Sequence, residues 1–343
     1  MFAFCRLIAW TLSAVALIPS ADGRFLLKRN PNGDSRQPVP SCHTNVECIQ
    51  QGLPVLEPNP KARAAIPRRE VWDLTQTCGA GRFVGFPDGK YRITIAGAQG
   101  GGPSNSGAVA GLGAVVDTNI TVSTGNVGIL FSYYIGCAGR LESRWGSVGG
   151  GGGGGGSFFW VTPPGKYPQD GADISSVLLV AGGGGGAGYF MGNGTPGGTN
   201  PTAVQTADGG TGGGALGGGG GAGYQTKGTD SNAPGAVLGG WGGSQSPSYG
   251  GTFKGGNSGA GGNPSGQTGG DGGGGGASVA GGGGGGGFHG GNGGLQKDAG
   301  RLGEGGRGGS SYANPQTDPQ WRITAISAVA TQVGSGSIRV ERY

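Results

Sequence analysis

Val177-Leu178-Leu179-Val180-Ala181-Gly182-Gly183-Gly184-Gly185-Gly186 passes without a break from five apolar residues to five glycines. The first half is strand sequence, made of side chains that pack on a pleated surface. The second half has nothing to bury, and glycine loses more backbone freedom on ordering than any other residue. Such a segment orders only if the backbones themselves pack. The same junction occurs reversed upstream, where the run 149–156 leads into Ser157-Phe158-Phe159-Trp160-Val161-Thr162. Further runs occupy 217–221, 272–276 and 281–287.

Glycine supplies 90 of the 343 residues, several times the usual share of about 7%. Runs this long break the every-third-residue register of collagen, which excludes a triple helix. A polyproline-II helix has three residues per turn and no internal hydrogen bonds. Rods of this kind lying side by side can pair their N–H and C=O groups laterally, and only glycine permits the approach. Each run is therefore read as one rod of a bundle, with the polar segments between runs as loops at its ends. A flexible linker would mix serine into the runs, and serine is sparse there.

Outside the runs the chain reads as short strands at 91–96, 115–122, 129–135, 157–162, 177–181, 321–330 and 338–341. Tyr91-Arg92-Ile93-Thr94-Ile95-Ala96 alternates as a half-buried strand does. Ile129-Leu130-Phe131-Ser132-Tyr133-Tyr134-Ile135 is apolar on both faces and reads as central. No stretch of the body is convincing as an amphipathic helix. The pattern predicts an all-β antiparallel sandwich, with strands at about 71–181 and 321–343 and a polyglycine bundle inserted at about 146–156 and 182–309.

Residues 1–23 contain Arg6, an apolar stretch at 7–18 and the small-residue stretch Ser20-Ala21-Asp22-Gly23. These are the parts of a secretory signal, so secretion is expected. No later stretch approaches the ~18 apolar residues that span a bilayer. The closing Ser337-Ile338-Arg339-Val340-Glu341-Arg342-Tyr343 lacks the tail of a lipid anchor, and release without a membrane span is expected. Residues 24–69 are proline-rich and aperiodic, a linker or pro-segment. The dibasic pairs Lys28-Arg29 and Arg68-Arg69 bracket it as processing candidates, leaving 70–343 as the glycine-rich domain.

The net charge of +5 does not point to nucleic acid. Nine Lys and Arg against four Asp and Glu precede Glu70, leaving 14 of each from Glu70 onward. Cys5 leaves with the signal, and Cys42, Cys48, Cys78 and Cys137 enter an oxidising compartment. Three pairings are possible. The division between pro-segment and body favours Cys42–Cys48 and Cys78–Cys137, the second worth about 4 kcal/mol through loop closure. Metal ligation finds no Cys-x-x-Cys and a single body histidine, His289. No cofactor is expected.

The order of strand and run resembles a known family, the secreted glycine-rich domain best known from the extracellular regions of the anaplastic lymphoma kinase and leukocyte tyrosine kinase receptors. The matching elements begin at Thr77-Cys78-Gly79-Ala80 and Gly89-Lys90-Tyr91 through Ala96-Gly97-Ala98-Gln99-Gly100-Gly101. They continue through 149–158, 177–186, 281–288, Gly308-Gly309-Ser310-Ser311-Tyr312 and Gly334-Ser335-Gly336-Ser337-Ile338-Arg339-Val340. The resemblance implies a sandwich similar to a tumour-necrosis-factor-like jelly roll carrying a polyglycine bundle. In those receptors the region binds protein ligands. This chain shows no transmembrane segment or kinase domain, and its loops do not match the receptors, so neither signalling nor a ligand carries over.

Catalysis has little support. There is no Gly-x-Ser-x-Gly elbow and no phosphate loop, and His289 reads as a loop or surface residue. Asp208, Asp230, Asp271 and Asp298 are scattered. Asn119-Ile120-Thr121 and Asn193-Gly194-Thr195 are N-glycosylation sequons. Asn193 reads as a loop tip, whereas Asn119 lies in a strand and must face solvent to be modified. Two functions fit a neutral secreted body without a catalytic site. One is a structural component of an extracellular matrix or surface layer, which predicts self-association. The other is a recognition module that binds a receptor, protein ligand or glycan through loops of the bundle. Aromatic interface anchors for the second are Tyr189, Phe190, Trp241, Tyr249 and Phe253, against the simpler role of packing over the bundle.

Overall fold

A computed structural model describes residues 70–74, 78–102, 107–123, 129–140, 149–162, 176–190, 192–202, 207–214, 216–231, 268–297, 302–314 and 320–343, with backbone alone at 80–84, 129 and 162. The signal sequence, the segment 24–69 with its dibasic pairs Lys28-Arg29 and Arg68-Arg69, Cys42 and Cys48 lie outside the described residues. Trp241, Tyr249 and Phe253 do too.

The chain is an all-β sandwich. Among the described residues ten strands follow in order: β1 (Glu70–Asp73), β2 (Gly79–Phe86), β3 (Gly89–Ala96), β4 (Gly113–Val122), β5 (Ile129–Ile135), β6 (Ser157–Thr162), β7 (Val177–Ala181), β8 (Tyr312–Ala313), β9 (Trp321–Gln332) and β10 (Ser337–Arg342). They form two five-stranded sheets, ordered β1-β10-β3-β4-β9 and β2-β5-β6-β7-β8, with antiparallel pairing throughout. Alternation in β3 and β4 turns Tyr91, Ile93, Ile95, Val116, Ile120 and Val122 inward. They meet Phe86, Phe131, Phe159 and Leu179 of the second sheet in one core. Phe86 stacks on Tyr91 at 4.4 Å between ring centroids, and Phe131 on Phe159 at 5.3 Å.

The second sheet is buried on its other face as well. Tyr134, Phe158, Trp160, Val177 and Val180 pack there with Ala207, Tyr224 and Phe288, three side chains carried by the glycine-rich part. This explains why β5 to β7 are apolar on both faces. Burial, with a smaller effect from Asp271, pushes the Tyr134 phenol well above its ordinary value. Cys78 and Cys137 form a disulfide that ties the start of β2 to the end of β5.

The glycine runs form a bundle whose hydrogen bonds repeat every three residues. In the run 281–287, Gly282 and Gly285 donate to the carbonyls of Glu304 and Arg307, Gly283 and Gly286 to those of Gly151 and Gly154, and Gly284 and Gly287 to those of Gly219 and Ala222, at 2.8–3.2 Å. Donors three apart reach the same neighbour, as the three residues per turn of polyproline II require. The run accepts from Gly183 and Gly186, from Gly275, and from Gly291 and Gly294. It therefore has six neighbouring rods, three to which it donates and three from which it accepts. No interior carbonyl or amide along it depends on water.

This interior admits no side chain. A Cβ on Gly284 would lie 2.0 Å from the Gly291 carbonyl oxygen, and one on Gly283 2.0 Å from that of Gly275. Two findings extend the sequence reading. Rods also come from 97–102, 107–113 and 136–140, short segments between strands. Polar residues between the runs do more than form end loops, because several cap rods along the bundle's outer surface. Asn193 Oδ1 accepts from Val109 N at 2.8 Å, Asn292 Oδ1 from Thr211 N at 2.9 Å, and Thr226 Oγ1 from Gly209 N at 2.7 Å. At the sandwich end, buried Ser157 Oγ donates to Ala96 O at 2.6 Å and accepts from Gly136 N at 2.9 Å.

Candidate functional site

The rod that begins at Gly182 leaves β7 and reaches Tyr189 after seven residues, roughly 20 Å at polyproline-II rise. There the chain reverses: Gly188 N donates to Gly192 O at 2.6 Å. Phe190 occupies the reversal with φ 73°, a left-handed conformation usually given to glycine. For a bulky L-residue this costs about 1–2 kcal/mol. Phe190 is 49% exposed. Tyr189 is 6% exposed, its ring 4.0 Å from that of Phe190 in an edge-to-face contact. Tyr189 is thus a support for Phe190 rather than a surface anchor.

A second reversal, between the rods 207–213 and 217–223, repeats the arrangement with Leu216 exposed at φ 58°. A third, between 290–294 and 303–309, is closed by Glu304 N to Leu295 O at 2.8 Å and Lys297 N to Leu302 O at 2.9 Å. It exposes Leu295 and Leu302. Hydrogen bonds, some through the segment 278–281, join the three reversals. Tyr189 N donates to Ala280 O, Gly303 N to Tyr189 O, and Ser278 Oγ to Leu216 O. Three turns at the end of the bundle away from the sandwich therefore present large apolar side chains, two of them from strained backbone. The exposed ion pair Lys297–Glu304, 3.2 Å apart, adds little stability. Strained, over-determined residues of this kind concentrate at functional positions.

A second feature lies on the outer face of the first sheet. A shallow cleft of about 570 Å³ is lined by Arg92, Asp117, Asn119, Ala325, Ser327, Glu341 and Tyr343, among others. Its charges are matched in place: Arg92 Nε donates to both Asp117 oxygens at 3.0 Å, and Arg339 pairs with Glu341 at 2.8 Å. The carboxylate raises the Arg92 pKa through that hydrogen bond. No nucleophile–base pair faces this cleft among the described residues.

Asn119 turns toward solvent in this cleft, as modification of a strand asparagine requires. Asn193 is exposed directly after the first reversal, and its side-chain oxygen caps Val109 N. His289 sits within the bundle, its backbone N–H donating to Ser310 Oγ at 2.9 Å. Among the described residues no group of acidic, histidine and cysteine side chains is arranged to hold a metal ion, and no helix is long and apolar enough to cross a membrane. Leu216, Leu295 and Leu302 went unmarked in the sequence. Their signal is a lone large apolar residue between two glycine segments.

No protein-family model matches the chain, and no curated protein matches it either.

Proposed function

We propose that this chain is a secreted, non-catalytic recognition module whose glycine bundle holds an apolar tip toward an extracellular protein. The observation that carries this reading is Phe190, a half-exposed aromatic kept in left-handed backbone on a rigid support. The signal-like residues 1–23 and the Cys78–Cys137 bridge support secretion. The resemblance to receptor glycine-rich regions supports a protein as the partner. The alternative is a structural component of an extracellular matrix or surface layer, and the glycine-dominated, nearly neutral body favours it.

Phe190→Gly separates function from folding. Relief of the left-handed strain, about 1–2 kcal/mol, is nearly offset by the backbone entropy of glycine, about 0.5–1 kcal/mol, and by lost ring contact with Tyr189. The melting temperature should stay within about 2 °C of wild type. Capture of partner from the native extracellular fraction should fall at least about tenfold, as for an interface hot spot. Undiminished capture by the folded variant would remove the tip from the account.

A further inference from the structure

Of the four sheet edges, three are protected. β1 is four residues long and carries Glu70 and Asp73, β8 has two residues, and β2 carries the disulfide at its start and a register shift between Phe83 and Phe86. β9 differs. It has twelve residues, pairs with β4 alone, and its other edge has no hydrogen-bonding strand among the described residues. No charged residue occurs from Ile323 to Ile338. Ala325, Ser327 and Val329 are exposed on one face, Val329 by 53%. Register shifts against β4 leave Thr324 and Thr331 unpaired, so the regular run is 325–330. Soluble proteins blunt such edges with charge, proline or bulges, because an open row of N–H and C=O groups is a template for another strand.

We infer that β9 pairs antiparallel with β9 of a second copy about a two-fold axis at Ser327, joining two five-stranded sheets into one. The edge is self-complementary in that register. Ala325 faces Val329 of the second copy, Ser327 faces its counterpart, and Arg322, beyond the regular run, lies toward the Gln332 end rather than toward another arginine. Residues facing each other then point to the same side, which keeps both cores on one face of the joined sheet. The contact is isologous and closes at two copies. It uses the sandwich, not the bundle tip, and stands independently of the recognition reading.

The full secreted chain should sediment as a reversible dimer with a dissociation constant in the micromolar range. Ser327→Lys sets two ammonium groups opposite each other on an exposed position and should weaken the dimer at least about tenfold without changing the melting temperature. Ser327→Cys should cross-link two chains under mild oxidation, because residues facing each other across antiparallel strands fall within disulfide reach. Val333→Cys, exposed but outside the paired run, should not. A chain that stays monomeric at high micromolar concentration, a dimer indifferent to Ser327→Lys, or equal cross-linking at both positions would overturn the inference. The first of these is also the outcome if this edge instead takes a strand from a different protein.

Discussion

Gly284→Ala should lower the melting temperature by on the order of 10 °C or prevent folding, although alanine stiffens the unfolded chain. That unfolded-state gain is worth about 0.4–1 kcal/mol. Against it stands a Cβ placed 2.0 Å from the Gly291 oxygen and 2.7 Å from the Gly221 nitrogen, both backbone atoms that cannot rotate away. The rod must shift, stretching the bonds from Gly284 N to Gly219 O (3.0 Å) and from Gly275 N to Gly284 O (2.7 Å). Overpacking costs about 1–3 kcal/mol and a buried unpaired polar group about as much again. Sterics therefore win by several-fold. Gly107→Ala is the control, since a Cβ there meets nothing within 4 Å. It should change stability by less than about 0.5 kcal/mol. Coincident melting curves for the two variants would mean that the glycine interior is not close-packed.

The second large effect is expected from the disulfide. Cys78 and Cys137 are separated by 59 residues, and closing such a loop restricts the unfolded chain by about 4 kcal/mol. The paired substitution Cys78→Ser with Cys137→Ser should therefore lower the melting temperature by on the order of 10 °C. Wild-type protein in strong reductant should match it. The bridge also anchors β2, which has glycine at Gly79, Gly81 and Gly85 and, among the described residues, pairs with β5 alone. Hydrogen exchange in the serine variant should rise first in β2. A melting temperature unchanged by reduction would show that β2 is held without the covalent link.

Legibility in the sequence followed side-chain content. The segments 129–135, 157–162 and 177–181 coincide end to end with β5, β6 and β7, because β-branched and aromatic residues fill them. β2 leaves no clear strand signal because its glycines dilute it, and two-residue β8 is too short to show any. The long runs announced rods, whereas 97–102 and 136–140 look like ordinary turns and become rods only beside the others. The tip was half legible. Tyr189 and Phe190 are adjacent aromatics, and which of them faces solvent is decided by a left-handed backbone that composition does not encode. The edge position of β9 left a trace in the uncharged stretch 323–338, but a strand's place in its sheet depends on β4, far away in the chain.

Main chains that pair sideways give the bundle an interior without side chains. Ordering each glycine costs about 1–2 kcal/mol and each hydrogen bond returns about 0.5–1.5, so the rods need their anchorage on the second sheet through Tyr224 and Phe288. Amide hydrogen exchange across 149–156, 182–188 and 281–287 measures this directly. The amides of 281–287 should exchange as slowly as those of β3 and β4, by opening of the whole domain. Exchange there at the rate of an unstructured glycine peptide, with β3 and β4 still protected, would contradict it.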